Sequence, residues 1–340
     1  MHIVVDAMGG DFAPGAAVQG AFEAAQLHGY TITLVGKKPL IDAELAKHKG
    51  ASSLPISVLH ADEVIEMDEQ PAIAVRQKKN SSMAVGVRLV DDNKADAFIS
   101  AGNSGGVMAT SLMYMKRVTG VSRPALATIL PTVNGITLLL DIGANVDCKP
   151  LHLFQFAIMG KIYMEKVMNI PNPRVGLLSI GSEEGKGNEL TIASYDLLAK
   201  STLNFIGNME GKDIPRGRAD VVVCDGFVGN NVLKFGEGVA EMMLKLVKEE
   251  LKAHPIAWAS LPFLWTALKG FRKKVDFTEY GGAPLLGVDG ISIIAHGNSN
   301  AKAIRNAINV AAHSAENKIN TLIASELPQY EQQVKVQAAV

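Results

Sequence analysis

The ten residues from Ile180 to Glu189, IGSEEGKGNE, gather three glycines, a lysine, an asparagine and three glutamates. Glycine amides at a strand exit can point, together with a helix N-terminus, at one bound oxyanion, and Lys186 would add a full positive charge. The flanks fit that geometry. VGLLS (Val175 to Ser179) suits a buried strand, and ELTIASYDLLAK (Glu189 to Lys200) has the apolar spacing of an amphipathic helix. Taken alone, the loop reads equally well as tight turns allowed by Gly181, Gly185 and Gly187, with Lys186 solvated. It is not a Walker A loop. Only Ser182, Glu183 and Glu184 separate Gly181 from the Gly185-Lys186 pair, one residue too few, and Gly187 follows where that motif needs Ser or Thr.

Polar residues recur wherever another apolar run ends. Asp6, Gly9, Gly10 and Asp11 follow HIVV; Asn103, Ser104 and Gly105 close ADAFISAGNSGG; Asn145 follows TLLLDIGA; Asp225 and Gly226 follow DVVVC; His296 ends GISIIA. Open α/β sheets bind ligands beyond the carboxyl ends of their strands. In one parallel sheet these ends converge, so Asp6, Asn103, Asn145, Lys186, Asp225, Asn230 and His296 are expected to line one polar crevice. Asn230 and Asn231 stand near a helix start, where a carboxamide N–H can stabilise a developing oxyanion; a helix N-cap is the local alternative, as it is for Asp11. Asp6 and Asp11 would repel a bare phosphate, which suits them to orienting donors or a water. No GxSxG elbow, HExxH pair or clear Ser-His-Asp arrangement occurs. Direct attack by a bound oxyanion is the chemistry left, and Cys224, ending VVVC, is expected to be buried and inert.

The elements that must position these residues alternate strand and helix, which predicts an α/β fold with a mainly parallel sheet. Helices are expected over Gly15 to Gly29, Ala74 to Asp91, His152 to Met168, the stretch from Phe227 to about Leu251, and Ala301 to Ile323. Arg123 to Leu130 and Ile136 to Asp141 read as strands joined at Asn134-Gly135, a hairpin signal that would put antiparallel pairing inside the sheet. EVIEMDEQPA (Glu63 to Ala72) reads as an acidic surface loop. Residues 1–325 are read as one catalytic domain with an amphipathic helical arm at about 240–275, and the polar tail 326–340 is expected to fray. With 48% hydrophobic but only 6% aromatic residues, the core is aliphatic. A net charge of −1 offers nucleic acid no global attraction, and two cysteines outside any CxxC pair argue for a reduced compartment and against zinc. Neither a secretory leader nor an apolar run of about 18 residues is found, so no export or membrane span is expected.

One segment still points at lipid. From His254 to Lys274 there is no acidic residue, and from Pro255 to Leu268 no charge at all. Trp258, Leu261, Phe263, Leu264 and Trp265 could enter a bilayer interface while Lys269, Arg272, Lys273 and Lys274 meet anionic headgroups. A helical hairpin buried in a dimer is the alternative, and Pro262 precludes one unbroken helix.

The blocks DAMGGD, SAGNSGG, LPT with DIGAN, IGSEEGKGNE, CDGFVGN, YGGAPLLG and AHG together resemble the bacterial phosphate acyltransferase family of phospholipid synthesis, over the chain to about Asn317. The resemblance implies a Rossmann-like three-layer sandwich akin to phosphotransacetylase. It implies transfer of a fatty acyl group from acyl carrier protein to inorganic phosphate, giving acyl phosphate for a membrane glycerol-3-phosphate acyltransferase. It also implies a homodimer in the cytoplasm, peripherally attached to the inner face of the cell membrane, with no cofactor or metal. Lys186 and Asn230 match the family's functional lysine and asparagine. Asp6, Gly9, Gly10, Asn103, Ser104, Gly105, Asn145, Gly185, Asn188, Asp225, Gly226 and His296 are the expected substrate contacts. Two departures stand out: Phe12 where the family often has histidine, and Asn231 where it usually has an apolar residue. A coenzyme A-dependent phosphotransacetylase, a dehydrogenase on a related fold and a non-catalytic membrane scaffold are the competing readings.

Overall fold

A computed structural model describes residues 1–254, Gly270 and residues 281–338. Eleven described strands form one sheet: β1 (His2–Asp6), β2 (Thr31–Gly36), β3 (Ile56–His60), β4 (Ala97–Ser100), β5 (Ala125–Thr132), β6 (Gly135–Leu140), β7 (Val175–Leu178), β8 (Phe205–Met209), β9 (Val221–Val223), β10 (Ala283–Leu286) and β11 (Ile291–Ile294). Their order across the sheet is β3-β2-β1-β4-β11-β10-β5-β6-β9-β7-β8. β1, β4, β7 and β9 are apolar runs buried almost end to end, as strands covered by helices on both faces require.

The sheet is mainly parallel, but it changes polarity in the middle. β3, β2, β1, β4 and β11 run one way, and β6, β9, β7 and β8 run the other. Three antiparallel pairings, β11 with β10, β10 with β5 and β5 with β6, make the reversal. The last is the expected hairpin, with Thr132 opposite Gly135. The strand exits therefore leave from two opposite ends, not from the single end that a uniformly parallel sheet would give. Short strands keep the two ends near each other. On β10, Ala283 faces the last residue of β11 while Leu285 faces Leu126, whose carbonyl accepts the Ile142 amide just past β6. Two residues of strand are about 7 Å, so the exits of β11 and β6 flank one central crevice.

Helices cover both faces. On one face of the first half, α1 (Gly15–His28) and α9 (Ala301–Glu316) bury Ala17, Val18, Ala21, Ile304, Ala307 and Ile308 against β1, β2 and β4. The other face takes α4 (Ser82–Asp91) and α5 (Ser104–Tyr114), through Met83, Val87 and Val107. In the second half, α6 (Pro150–Lys166), α7 (Glu189–Ala199) and α10 (Ile319–Ala338) enclose a hydrophobic cluster that includes Phe154, Phe156 and Tyr163. The short α2 (Lys38–Leu45) and α3 (Pro71–Gln77) fill the periphery, and α8 (Gly226–Ala253), about 42 Å long at 1.5 Å per residue, exposes most of its length.

Three local expectations differ from what is found. The helix expected over Ala74 to Asp91 is two, because Ser81 accepts the Ala84 amide and starts α4 afresh. The closing helix breaks at Asn317-Lys318, where Lys318 has φ +50°, a left-handed conformation that ends a helix. The tail expected to fray from Glu326 is helical to Ala338. Ile319, Ile323, Leu327 and Val334 supply a buried stripe, and Glu331 accepts a hydrogen bond from Gln155 at 2.7 Å. Of the expected arm, residues 240–253 belong to α8. The remainder lies largely outside the described residues, as do the membrane-contact residues Trp258, Leu261, Phe263, Leu264, Trp265, Lys269, Arg272 and Lys273.

Candidate active site

A cleft of about 670 Å³ opens where the sheet reverses, within the ~300–1,000 Å³ typical of small-molecule sites. Its first-half wall carries Ser104 and Gly105 at the start of α5 and His296, Asn298 and Ser299 after β11. Its second-half wall carries Ile142 and Gly143 after β6, and Asn230, Leu233 and Lys234 on α8. Apolar side chains between them, Met108, Leu126, Ile129 and Ile294, floor the cleft. Of the expected crevice residues, Ser104, Gly105, Asn230 and His296 thus share one cavity.

The second-half wall is organised by a carboxylate that sequence reading missed. Asp141 is fully buried, and its two oxygens accept the amides of Leu126, Gly143, Ala144 and Asn145 and the Asn145 carboxamide, at 2.7 to 3.2 Å. Burial raises its pKa, and the hydrogen bonds oppose that rise. The loop so fixed seats the first turn of α8: Asn145 O accepts the Gly226 amide at 2.8 Å, and Asn145 Nδ2 reaches Pro124 O. Gly229 lies so close to the Asp141 carbonyl that a Cβ there would come within 1.9 Å of it, so only glycine fits one residue before Asn230. The signal in the sequence was the charged residue that ends TLLL, which burial alone would forbid.

Several expected contacts are engaged at their own elements. Asn103 Oδ1 accepts the Gly106 amide and caps α5, while its Nδ2 lies 3.0 to 3.2 Å from the carbonyls of Glu66, Met67 and Glu69, fastening the acidic loop. Asp225 and Asn188 cap α8 and α7. Asp6 is buried at the end of β1, and its carboxylate accepts the Ser100 hydroxyl at 2.7 Å and the Met8 amide at 3.0 Å. Gly9 rests on Gly102, and the Asp11 amide donates to Gly297 O, so the loops after β1, β4 and β11 press together. Asn231 Nδ2 donates to Phe227 O along its own helix, whereas Asn230 faces the cleft.

Lys186 is exposed in the loop after β7, at the same end of the sheet as the exits of β6 and β9 but outside the cleft wall. Ser179 Oγ and the Lys186 carbonyl close that loop at 2.9 Å, and Gly185 has open space around it. Cys224 is buried, and burial together with the Asp225 and Asp141 carboxylates holds its thiol well above the usual range; Cys148 is pushed up to about 12 by burial and the same carboxylates. Neither is a thiolate nucleophile near neutral pH. Among the described residues no group of three or more His, Cys, Asp or Glu side chains is placed to hold a metal ion, and no helix is long and apolar enough to cross a membrane.

The architecture is shared with EutD phosphotransacetylase from Staphylococcus aureus, which superposes with a TM-score of 0.59 over 93% of this chain and 94% of that one, at 16% identity. The fold is thus the α/β sandwich of the phosphotransacetylases. A family model described as "Fatty acid synthesis protein" matches residues 1–322. The phosphate acyltransferase of Endomicrobium trichonymphae is 54% identical over 337 residues, covering 98% of this chain and all of the relative. That of Pelotomaculum thermopropionicum is 52% identical over 331 residues, 97% of this chain and 96% of the relative. The chain belongs to the phosphate acyltransferase family and is an acyltransferase of fatty acid and phospholipid synthesis.

Proposed function

We propose that the protein transfers a fatty acyl group from acyl carrier protein to inorganic phosphate. A phosphate oxygen attacks the thioester carbonyl carbon, the carbonyl oxygen takes the charge, and the C–S bond then breaks to give acyl phosphate and the carrier thiol. Phosphate is already ionised at neutral pH, so positioning and electrostatics can carry most of the acceleration without a strong base. Asn230 stabilises the tetrahedral oxyanion, and Lys186 brings positive charge to the phosphate. The observation that carries the reading is the cleft itself: a carboxamide beside an apolar floor suited to aliphatic chain, facing a helix N-terminus. Incubation with phosphate and acyl thioesters of either acyl carrier protein or coenzyme A is the test. Acyl phosphate from the carrier-protein donor is expected. Release of thiol from coenzyme A thioesters alone would move the protein to the phosphotransacetylases, and release from neither would make it a scaffold.

The protein acts in the cytoplasm as a homodimer at the inner face of the cell membrane, passing its product to a glycerol-3-phosphate acyltransferase. Exposed apolar residues at helical spacing on α8, Phe235, Val239, Met242, Met243 and Leu246, support an interface there. Residues 254–274 supply the membrane contact, on the strength of their uncharged run and terminal basic cluster. Co-sedimentation with anionic vesicles should be lost when Trp258, Leu261 and Trp265 are all changed to glutamate; an active, dimeric variant that still binds them rules the segment out.

A further inference from the structure

Two helices from separate parts of the chain begin at the first-half wall of the cleft. At α5, the Asn103 side chain occupies the Gly106 amide, and among the described residues the Ser104 and Gly105 amides have no capping partner; both residues line the cleft. At α9, Asn300 Oδ1 occupies the Ala303 amide at 3.0 Å, and the residue before that cap is Ser299. Ser299 is only 6% exposed and lines the cleft, and its hydroxyl has no hydrogen-bond partner among the described residues. It is not sealed in protein like the buried, unpartnered hydroxyls of Ser82 and Thr132, so the opening available to it is the cleft. His296 lies three residues earlier on the same wall, its Nδ1 turned to the Asn298 amide at 3.4 Å.

A buried hydroxyl, two helix N-termini and an imidazole on one wall are a set of donors awaiting an acceptor-rich anion. The facing α8 wall carries two carboxylates of its own. Its Glu237 is paired with Lys234 at 2.8 Å, and Glu241 is one turn further along the helix. The Asp11 carboxylate lies nearby, at the Gly297 turn, and the seat must work beside it.

We propose that Ser104, Gly105, Ser299 and His296 form an oxyanion seat for a phosphate group at this end of the cleft. The inference rests on the acyl transfer reading, which brings two phosphate-bearing ligands: the inorganic acceptor, and the phosphodiester of the pantetheine arm on a carrier-protein donor. Lys186 stands outside the cleft wall, so one ligand can be met there and the other here.

The experiment compares the parent with Ser299→Asp, Ser299→Ala and Ser104→Asp. Apparent KM is measured for inorganic phosphate, for acyl carrier protein thioester, and for an acyl N-acetylcysteamine thioester that lacks the phosphodiester. A carboxylate in the seat should raise the KM of the phosphate-bearing ligand at least tenfold, on the order of a lost charge-assisted hydrogen bond, with a smaller rise for Ser299→Ala. A rise confined to inorganic phosphate assigns the seat to the acceptor. A rise for the carrier-protein donor but not for the truncated thioester assigns it to the phosphodiester. Folded aspartate variants with all three KM values unchanged overturn the proposal. If Ser299→Asp does not fold, Ser104→Asp at its exposed position decides together with Ser299→Ala. Should the parent make no acyl phosphate, the function reading fails by itself. The seat is then judged by thermal stabilisation with inorganic phosphate: saturable in the parent and abolished by Ser104→Asp if it exists, equal in both if it does not.

Discussion

Each half of the sheet ends one of its central strands on a buried aspartate, and the two aspartates hold different things. Asp6, the last residue of β1, accepts a serine hydroxyl from β4 and an amide from its own turn, and so ties two neighbouring strands. Asp141, after β6, accepts four backbone amides and a carboxamide, and so shapes a whole loop on which the first turn of α8 rests. A hydroxyl can rotate from donor to acceptor, whereas a backbone amide can only donate. The first half is therefore expected to tolerate a change in its aspartate better than the second. Asn230, projecting from the helix that Asp141 seats, inherits that rigidity.

The largest effect should come from the residue that the second half positions. Asn230→Ala is expected to lower kcat by ~10²–10³ with little change in the KM for phosphate, because an oxyanion donor acts chiefly in the transition state. Asn231→Ala is the control, its side chain being bonded to Phe227 O on its own helix. Lys186→Ala should leave the fold intact, since the side chain is exposed, and remove most acyl phosphate formation, with arginine a poor rescue because its fork differs in shape from an ammonium. Near-normal turnover of Lys186→Ala at low phosphate, or a defect in Asn231→Ala larger than in Asn230→Ala, would undo the assignment of chemistry to this half.

A direct attack on the comparison is to change each aspartate to asparagine. In Asp141→Asn, the new Nδ2 must face amides that also donate, so at least one buried N–H loses its acceptor, at a cost of about 1–3 kcal/mol each. In Asp6→Asn, the Ser100 hydroxyl can turn and accept, and the cost should stay below about 1 kcal/mol. Urea unfolding should rank them in that order. Asp141→Asn should also lower kcat beyond the loss of folded protein, as Asn230 loses its support. Equal destabilisation by the two changes would show that the partners' chemistry does not distinguish the sites.

The contrast between the halves was only half legible in the sequence. Parallel strands buried on both faces appear as unbroken apolar runs, so VVVC and HIVV announce both the strands and the polar exits that follow. The hairpin at Asn134-Gly135 is equally local. Strand direction is not. Whether β6 lies parallel or opposed to β1 depends on pairings through β10, which arrives some 150 residues later, and no window of residues records it. Expecting every exit at one end followed from that blind spot, and so did expecting Lys186 and His296 to line one crevice. Asp141 and Ser299 escaped notice for a related reason: each is an ordinary polar residue in a loop until the fold buries it, Asp141 among amides that need an acceptor and Ser299 on the wall of the cleft.

The smallest expected effect is the pH dependence of the two carboxyls, and it probes how well each half solvates its charge. Burial raises the pKa of Asp6 and of Asp141 above the ordinary value, the hydrogen bonds only partly offsetting it. In the interval between the unfolded carboxyl, near pH ~4, and the raised folded value, the native protein holds a proton that the unfolded chain has lost. Stability then falls as pH rises through that interval and levels off above it. Asparagine carries no titrating proton, so each variant should lack its share of the fall: relative to the parent, Asp6→Asn becomes less destabilising as pH increases above about 4. Asp141 has more amides favouring its charged form, and removing it should flatten the profile less than removing Asp6. Urea midpoints measured across that range for the parent and both variants provide the slopes. Profiles for Asp6→Asn and the parent that run parallel would mean that Asp6 is as well solvated by its few partners as a carboxyl in water, and the difference drawn between the two halves would then lie in loop geometry alone.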